Sequence, residues 1–553
     1  MRLALAVVTL LALAWVLPLD AAIAWGWDET MHAAGPSWRF ATALAAGDAS
    51  GFFRALEACD RYPFVFPLAL GLEQLVFGIS EHGARVFVTL LWCATILATF
   101  AIARRVAGRS SAGWIAMITA ASSPLALSFA GTALLEVPSA AAVALALVAW
   151  LRRRDDGLEA RVQRKRDLAA GAALALVFFT KFNYGLLLWA ALALDEIAHV
   201  ATARGEALRT RLKGTSWTAL VPLAALAWWF LLPLPAGLAM AAAHRAAFLD
   251  WITGNQDLPQ APWTIRVLNV AGFFEPNPRA LLLVLVGALA ALRELRRPAV
   301  RALALVTLVL AVAILGHRYH LPRFLIPLGP ALWALSAIGW SRLLPVAPLK
   351  RVGAIAALVL GCALLPGRDT EALADGLGFL SDKPAVRDYQ LGELATQRQL
   401  TGSRRLRSLG LKREEYERFF DTLAAQVAPT ERLGWLDLAE EVSPVGLQYG
   451  LMRRGRDART FAAQLWEETG ISIAGTDPAW TDEQLDAWAA RFDTILFSEP
   501  HHLRGRAGRE FFGGYVTRLE ARGWKRTAIG TLSVERPMKE ALPVTLYLLR
   551  RSS

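Results

Sequence analysis

Two adjacent carboxylates, Asp28 and Glu29, follow directly on the first apolar run, in the stretch AWGWDETMHAAGPSWRF that begins at Ala24. Trp25, Trp27, Trp38 and Phe40 surround them. An acid pair at the mouth of an apolar helix is a solvated helix end, a cation site, or a general base for a hydroxyl proton. Spacing alone does not choose among these. A third acid, Glu136, lies in SFAGTALLEVPSAAAVALAL. It either complements the macrodipole of the helix it starts or faces Asp28 across a shared cavity. The bases of interest are Arg61, Lys181, Arg318 and Arg323, with His317 and His320. Lys181 ends ALALVFFTKFNYG, where a lysine can simply snorkel to the interface. Arg323 opens RFLIPLGPALWAL, where a guanidinium can grip a phosphate with two parallel hydrogen bonds. His317 and His320 have the i, i+3 spacing of a metal pair, but no third ligand lies nearby in the sequence.

The elements that must position these groups are membrane helices. The chain has 553 residues, 55% of them apolar. Residues 1–367 carry repeated runs of about 15 to 22 apolar residues, the length that crosses about 30 Å of hydrocarbon. Eleven helices fit the pattern: 3–24, 85–106, 110–128, 134–151, 168–183, 184–200, 216–236, 279–293, 301–316, 323–341 and 351–367. Five basic clusters punctuate them, including RRRDDGLEARVQRKR at 152–166 and RELRRPAVR at 293–301. Placing all five in the cytoplasm satisfies the positive-inside bias. The N-terminus is then cytoplasmic, and everything after helix eleven lies outside. Asp28, Glu29, Glu136, Arg61, Lys181, Arg318, Arg323 and the histidines all map to the outer side. Nothing comparable is concentrated on the cytoplasmic side, where the charges look like topology signals. The first run resembles a signal-peptide core ending in AIA, but its length and the many runs behind it favour a retained helix.

Two outer segments are too long to be connectors. Residues 25–84 contain FVFPLALGLEQLVFGIS, read as helices lying in the interface. Residues 237–278 interleave Trp251, Trp263, Phe273 and Phe274 with prolines and polar residues. The net charge of +12 is accounted for by topology, so nucleic acid is not an expected partner. The three cysteines show no disulfide framework or metal spacing. From residue 368 onward the chain is more polar. RLGWLDL, FDTILFSEP, KRTAIGTLSV and PVTLYLLR read as strands, and GGYVTRLEARG as a helix ending at Gly523. The expected fold is therefore mostly α and polytopic, with a membrane domain over 1–367 and an extracytoplasmic α/β domain over 368–553.

Three motifs then add up. WDE stands at 27–29, RYPFVFPLALGLEQLVFGISEHGARVF at 61–87, and RFLIPLGPAL at 323–332. Together they resemble the GT-C-fold glycosyltransferases of the protein O-mannosyltransferase and lipid A aminoarabinose transferase type. In that family Tyr or Lys precedes Pro-Pro-Leu, the stretch ends in Gly-x-Ser-Glu-x-x-x-Arg, and Arg-Tyr-Leu-Leu-Pro-x-x-Pro follows later. The second proline is Phe64 here. The resemblance implies an enzyme of the cytoplasmic membrane that uses a polyprenyl-phosphate-linked sugar. Its acceptor would be a hydroxyl on a lipid, glycan or protein, and membrane lipids would surround it. Asp28 would be the base of an inverting transfer, with Glu29 in support and Glu136 orienting the acceptor or binding a cation. Arg61, Tyr62, Lys181 and Arg323 would hold the donor phosphate, with Arg318 and His320 as further candidates. No cofactor is required by this chemistry; a divalent cation on Asp28 and Glu136 is compatible with it. A transporter or flippase of lipid-linked saccharides is the competing class, and a non-catalytic envelope-assembly protein a third. The transporter would place charges mid-membrane in two related halves.

Overall fold

A computed structural model describes residues 2–16, 35–57, 59, 63–78, 80–123, 126, 129–155, 159–231, 279–316, 322–344, 347–348, 350–356, 413–428, 430–436, 447, 450–451, 454, 481–499, 514–536 and 539–551. Asp28, Glu29, Arg61, Tyr62, His317, Arg318, His320 and the segment 237–278 lie outside the described residues. So does most of the helix expected over 351–367. The chain divides into two compact units, the first dominated by Arg39–Asn255 and Gln260–Arg404, the second by Arg405–Ser553.

The first unit is helical. In order come α1 (Arg2–Val16), α2 (Gly35–Ala45), α3 (Ala49–Glu57), α4 (Val65–Phe77), α5 (Glu81–Ala107), α6 (Ser110–Ala121) and α7 (Glu136–Arg152). Then follow α8 (Ala160–Thr180), α9 (Phe182–Ala201), α10 (Gly205–Leu231), α11 (Arg279–Ala291), α12 (Pro298–Gly316) and α13 (Gly329–Leu343). A 3-10 turn, Pro322–Leu328, leads into α13. Among the described residues, four helices are long and apolar enough to cross a membrane: Glu81–Ala107, Phe182–Ala201, Pro298–Gly316 and Arg323–Leu343. α4, at 13 residues, is about 20 Å long, too short for a span.

α7 sits at the centre. Val137 through Ala144 are buried without exception. Small side chains there let α5, α8 and α13 approach closely, the packing that substitutes for a hydrophobic drive inside a membrane. α5 is bounded by a Ser80 cap, whose Oγ accepts from the Gly83 amide at 2.8 Å, and by Gly108 with φ +67°. Between α8 and α9 the sequence reading expected a break near 183. The break is instead at Lys181, whose backbone is extended at φ −157° and ψ 116°. The helix reversal there is tight, because a Cβ on Gly185 would come within 2.3 Å of the Phe178 Cα.

The second unit is α/β. It holds α14 (Arg413–Gln426), β1 (Leu433–Trp435), α15 (Asp482–Ala489), β2 (Thr494–Glu499), β3 (Trp524–Arg536) and β4 (Lys539–Arg551). The strand order is β1-β2-β4-β3. β1 runs parallel to β2, and the other pairs are antiparallel. The central strand β2 is covered on both faces. Leu496 joins a cluster with Phe420, Leu423 and Leu546, while Ile495 and Phe497 join one with Trp488, Leu519 and Leu549. Two-sided burial is why TILF reads as a continuous apolar run rather than an alternation.

Candidate active site

Lys181 is fixed by the turn it makes. Its amide donates to the Val177 carbonyl at 3.0 Å, and its carbonyl accepts from the Gly185 amide at 3.2 Å. A single extended residue between two helices throws its side chain sideways, toward the start of α7. There the Lys181 ammonium donates to Glu136 Oε1 at 3.0 Å. Arg323, on the turn before α13, brings its Nε to 3.7 Å from the same oxygen. All three groups are largely withdrawn from solvent, with side-chain exposures of 12% for Lys181, 18% for Arg323 and 4% for Glu136. Their mutual attraction is accordingly screened far less than a surface pair.

Aromatic rings frame the cations. The Lys181 ammonium lies 5.1 Å from the Tyr184 ring centre and 4.9 Å from that of Phe324. The Tyr184 hydroxyl donates to the Phe324 carbonyl at 3.1 Å, tying the start of α9 to the turn that carries Arg323. Behind Lys181, Phe178, Phe179 and Phe182 pack with Trp229 and Phe40. Phe64 enters this cluster 5.3 Å from Phe179 and 5.3 Å from Trp229, ring centre to ring centre. Phe64, which stands where the resemblance would place a second proline, thus anchors the start of α4 against α8 and α10. On α5, Glu81 and Arg85 are buried. One turn further, the Thr89 hydroxyl lies 2.9 Å from the Ala130 carbonyl, holding α5 to the segment that leads into Glu136.

Of the site residues read from sequence, the structure therefore brings Glu136, Lys181 and Arg323 together. Tyr184 and Phe324 were not singled out; their adjacency in sequence to Lys181 and Arg323 was the available signal. Among the described residues no group of three His, Cys, Asp or Glu side chains is placed to hold a metal ion.

At the opposite helix ends, charges that read as topology signals also pair with one another. Arg153, buried at the end of α7, donates to both carboxylate oxygens of Glu196, at 3.0 and 2.9 Å, and to Asp167 at 3.1 Å. Arg154 pairs with Asp195 at 2.9 Å and Glu196 at 2.8 Å. Arg301 donates to Asp195 at 2.9 Å. Trp150 and Thr215 add donors to Asp195 and Glu196. The missed signal was Asp195-Glu196 within the apolar run of α9. Acids inside a membrane helix are costly unless partnered.

Residues 61–234, which include Glu136 and Lys181, match the family described as dolichyl-phosphate-mannose-protein mannosyltransferase. No curated protein matches the chain by sequence. In fold, the chain is similar to ArnT from Cupriavidus metallidurans. The TM-score is 0.57 for the apo crystal structure, at 15% identity, covering 99% of this chain and 97% of that one. The crystal structure of the same protein bound to undecaprenyl phosphate gives 0.56 at 15% identity, covering 98% and 97%. The arabinofuranosyltransferase AftD from Mycobacteria gives 0.55 at 17% identity, covering 100% of this chain and 40% of that one. The chain shares the fold of these structures, and its residues 61–234 carry the mannosyltransferase family's pattern. The Glu136–Lys181–Arg323 cluster is built into the helical unit of that fold.

Proposed function

We propose that the enzyme moves a sugar from a polyprenyl-phosphate carrier to an acceptor hydroxyl at the outer face of the cytoplasmic membrane. In this reading the N-terminus is cytoplasmic and the C-terminal α/β domain extracytoplasmic. The observation that carries it is the convergence of Lys181 and Arg323 on one buried carboxylate. Two bases at a shielded helix mouth are suited to a lipid phosphate, whose departure needs charge stabilisation more than a proton. The neighbouring ArnT structure bound to undecaprenyl phosphate supports the same class of carrier.

The chemistry balances without a cofactor. The acceptor oxygen attacks the anomeric carbon from the face opposite the phosphate and inverts the configuration. Asp28 takes the hydroxyl proton, with Glu29 beside it. The bond from the anomeric carbon to the phosphate oxygen breaks, and its electron pair leaves with the polyprenyl phosphate. Lys181 and Arg323 hold the charge that develops there. Arg61 and Tyr62 precede Pro63 and Phe64, which tether them in sequence to the aromatic cluster behind Lys181, and they are assigned to the same phosphate. Glu136 keeps both bases in place.

The direct test is Asp28→Asn in purified enzyme, given a polyprenyl-phosphate sugar and a hydroxyl acceptor. Transfer should fall by about 10² to 10⁴, the range for loss of a general base, with an unchanged melting temperature. Wild-type transfer by this variant would remove Asp28 from the mechanism.

A further inference from the structure

The role of Glu136 goes further than tethering. On the reading that Lys181 and Arg323 hold the donor phosphate, we infer that Glu136 weakens the site's grip on spent carrier more than its grip on loaded donor, and so speeds carrier release. The carboxylate lies 3.0 Å from the Lys181 ammonium and 3.7 Å from the Arg323 guanidinium. It is also the first residue of α7, so a phosphate held by these bases would lie within a few ångströms of it.

The reaction changes the charge of the ligand at this spot. The loaded donor is a phosphodiester with a single negative charge. Transfer leaves a phosphomonoester, which carries close to two charges at pH 8 because its second pKa is about 6. Coulomb energy scales with ligand charge. Lys181 and Arg323 alone would therefore grip the product about twice as strongly, in energy, as the substrate, and turnover would stall on bound carrier. The N-terminus of α7 would deepen that trap, since helix N-termini attract anions. A fixed carboxylate beside both bases acts in the opposite sense, and its repulsion also doubles for the monoester. Glu136 on its own does not exhaust the donor count of either base, since an ammonium has three donors and a guanidinium five.

The test compares two probes on the full-length enzyme in detergent at pH 8: undecaprenyl phosphate, and its methyl diester. The ratio of the two affinities in wild-type enzyme is the reference. Glu136→Gln should tighten the diester about tenfold and the monoester about a hundredfold, as the missing repulsion doubles with charge. In the same variant multiple-turnover transfer should slow while the first turnover persists. Glu136→Asp, which keeps the charge, should retain the wild-type affinity ratio. A Glu136→Gln variant that weakens both probes or shifts them equally would overturn the inference. If Glu136→Gln does not fold, Glu136→Ala is read by the same ratio. The phosphate reading itself fails separately, if wild type binds neither probe or if Lys181→Met and Arg323→Met leave binding unchanged.

Discussion

At one end of the helical unit three arginines, Arg153, Arg154 and Arg301, meet three carboxylates, Asp167, Asp195 and Glu196. At the other end, among the described residues, Lys181 and Arg323 share Glu136. The first arrangement is neutral, three arginines against three carboxylates. Arg153 spends all three of its guanidinium nitrogens on acids, and Trp150, Thr215 and Gln163 supply further donors to the same carboxylates. Such a network locks α7, α8, α9 and α12 at one end. The second arrangement, among the described residues, sets two buried bases against one carboxylate. Burial and charge are common to both ends; what separates the clamp from the site is the balance of bases to carboxylates.

The largest effect expected from this contrast is on catalysis. Arg323→Met or Lys181→Met should lower transfer by about 10² to 10³, the loss typical when a charge-stabilising donor is removed, with a smaller loss of melting temperature than Arg153→Met because the remaining base still faces Glu136. Steady-state transfer beside a melting curve checks this. Equal loss of melting temperature and activity would break the contrast.

Arg153→Met should do the reverse. Removing one partner from a buried ionic network leaves Glu196 and Asp167 uncompensated and costs about 3–5 kcal/mol. Thermal unfolding should show the loss, while the protein that remains folded transfers at the wild-type rate. A folded Arg153→Met variant with slow chemistry would mean that the network reaches the active end.

A smaller effect sharpens the picture around α4 and α5. Glu73 lies against the first turn of α5: a Cβ on Gly83 would come within 2.8 Å of its Oε1. Burial pushes its carboxyl up to about 7 from an ordinary 4.5. The folded state thus holds the proton after the unfolded chain has released it, so stability declines as pH rises from about 4.5 to 7 and stays lower above. Glu73→Gln removes this penalty. It should raise the melting temperature at pH 8 and leave it unchanged at pH 4, by on the order of 1 kcal/mol after solvent screening of a half-exposed group. A constant difference across pH would show that Glu73 does not titrate in that range.

Much of this was legible in the residues. Apolar runs of membrane length can be satisfied only by helices, because hydrocarbon offers no partner to backbone amides, and that made the helical fold readable segment by segment. The strand runs near 433 and 495 were equally plain, since two-sided burial demands unbroken apolar side chains. Glu136, Lys181 and Arg323 could be picked out as charges where apolar runs begin or end. That they meet on one oxygen was not readable, because it depends on a helix break at Lys181 and on a 3-10 turn 142 residues further along the chain. Nor was the neutral clamp: Arg153 and Arg301 look like any basic residues of a short loop until packing places Asp195 and Glu196 beside them. Sequence order carries what each segment does alone, in its solvent. Pairing between distant charges is a property of how the helices pack, and packing distinguished the clamp from the site.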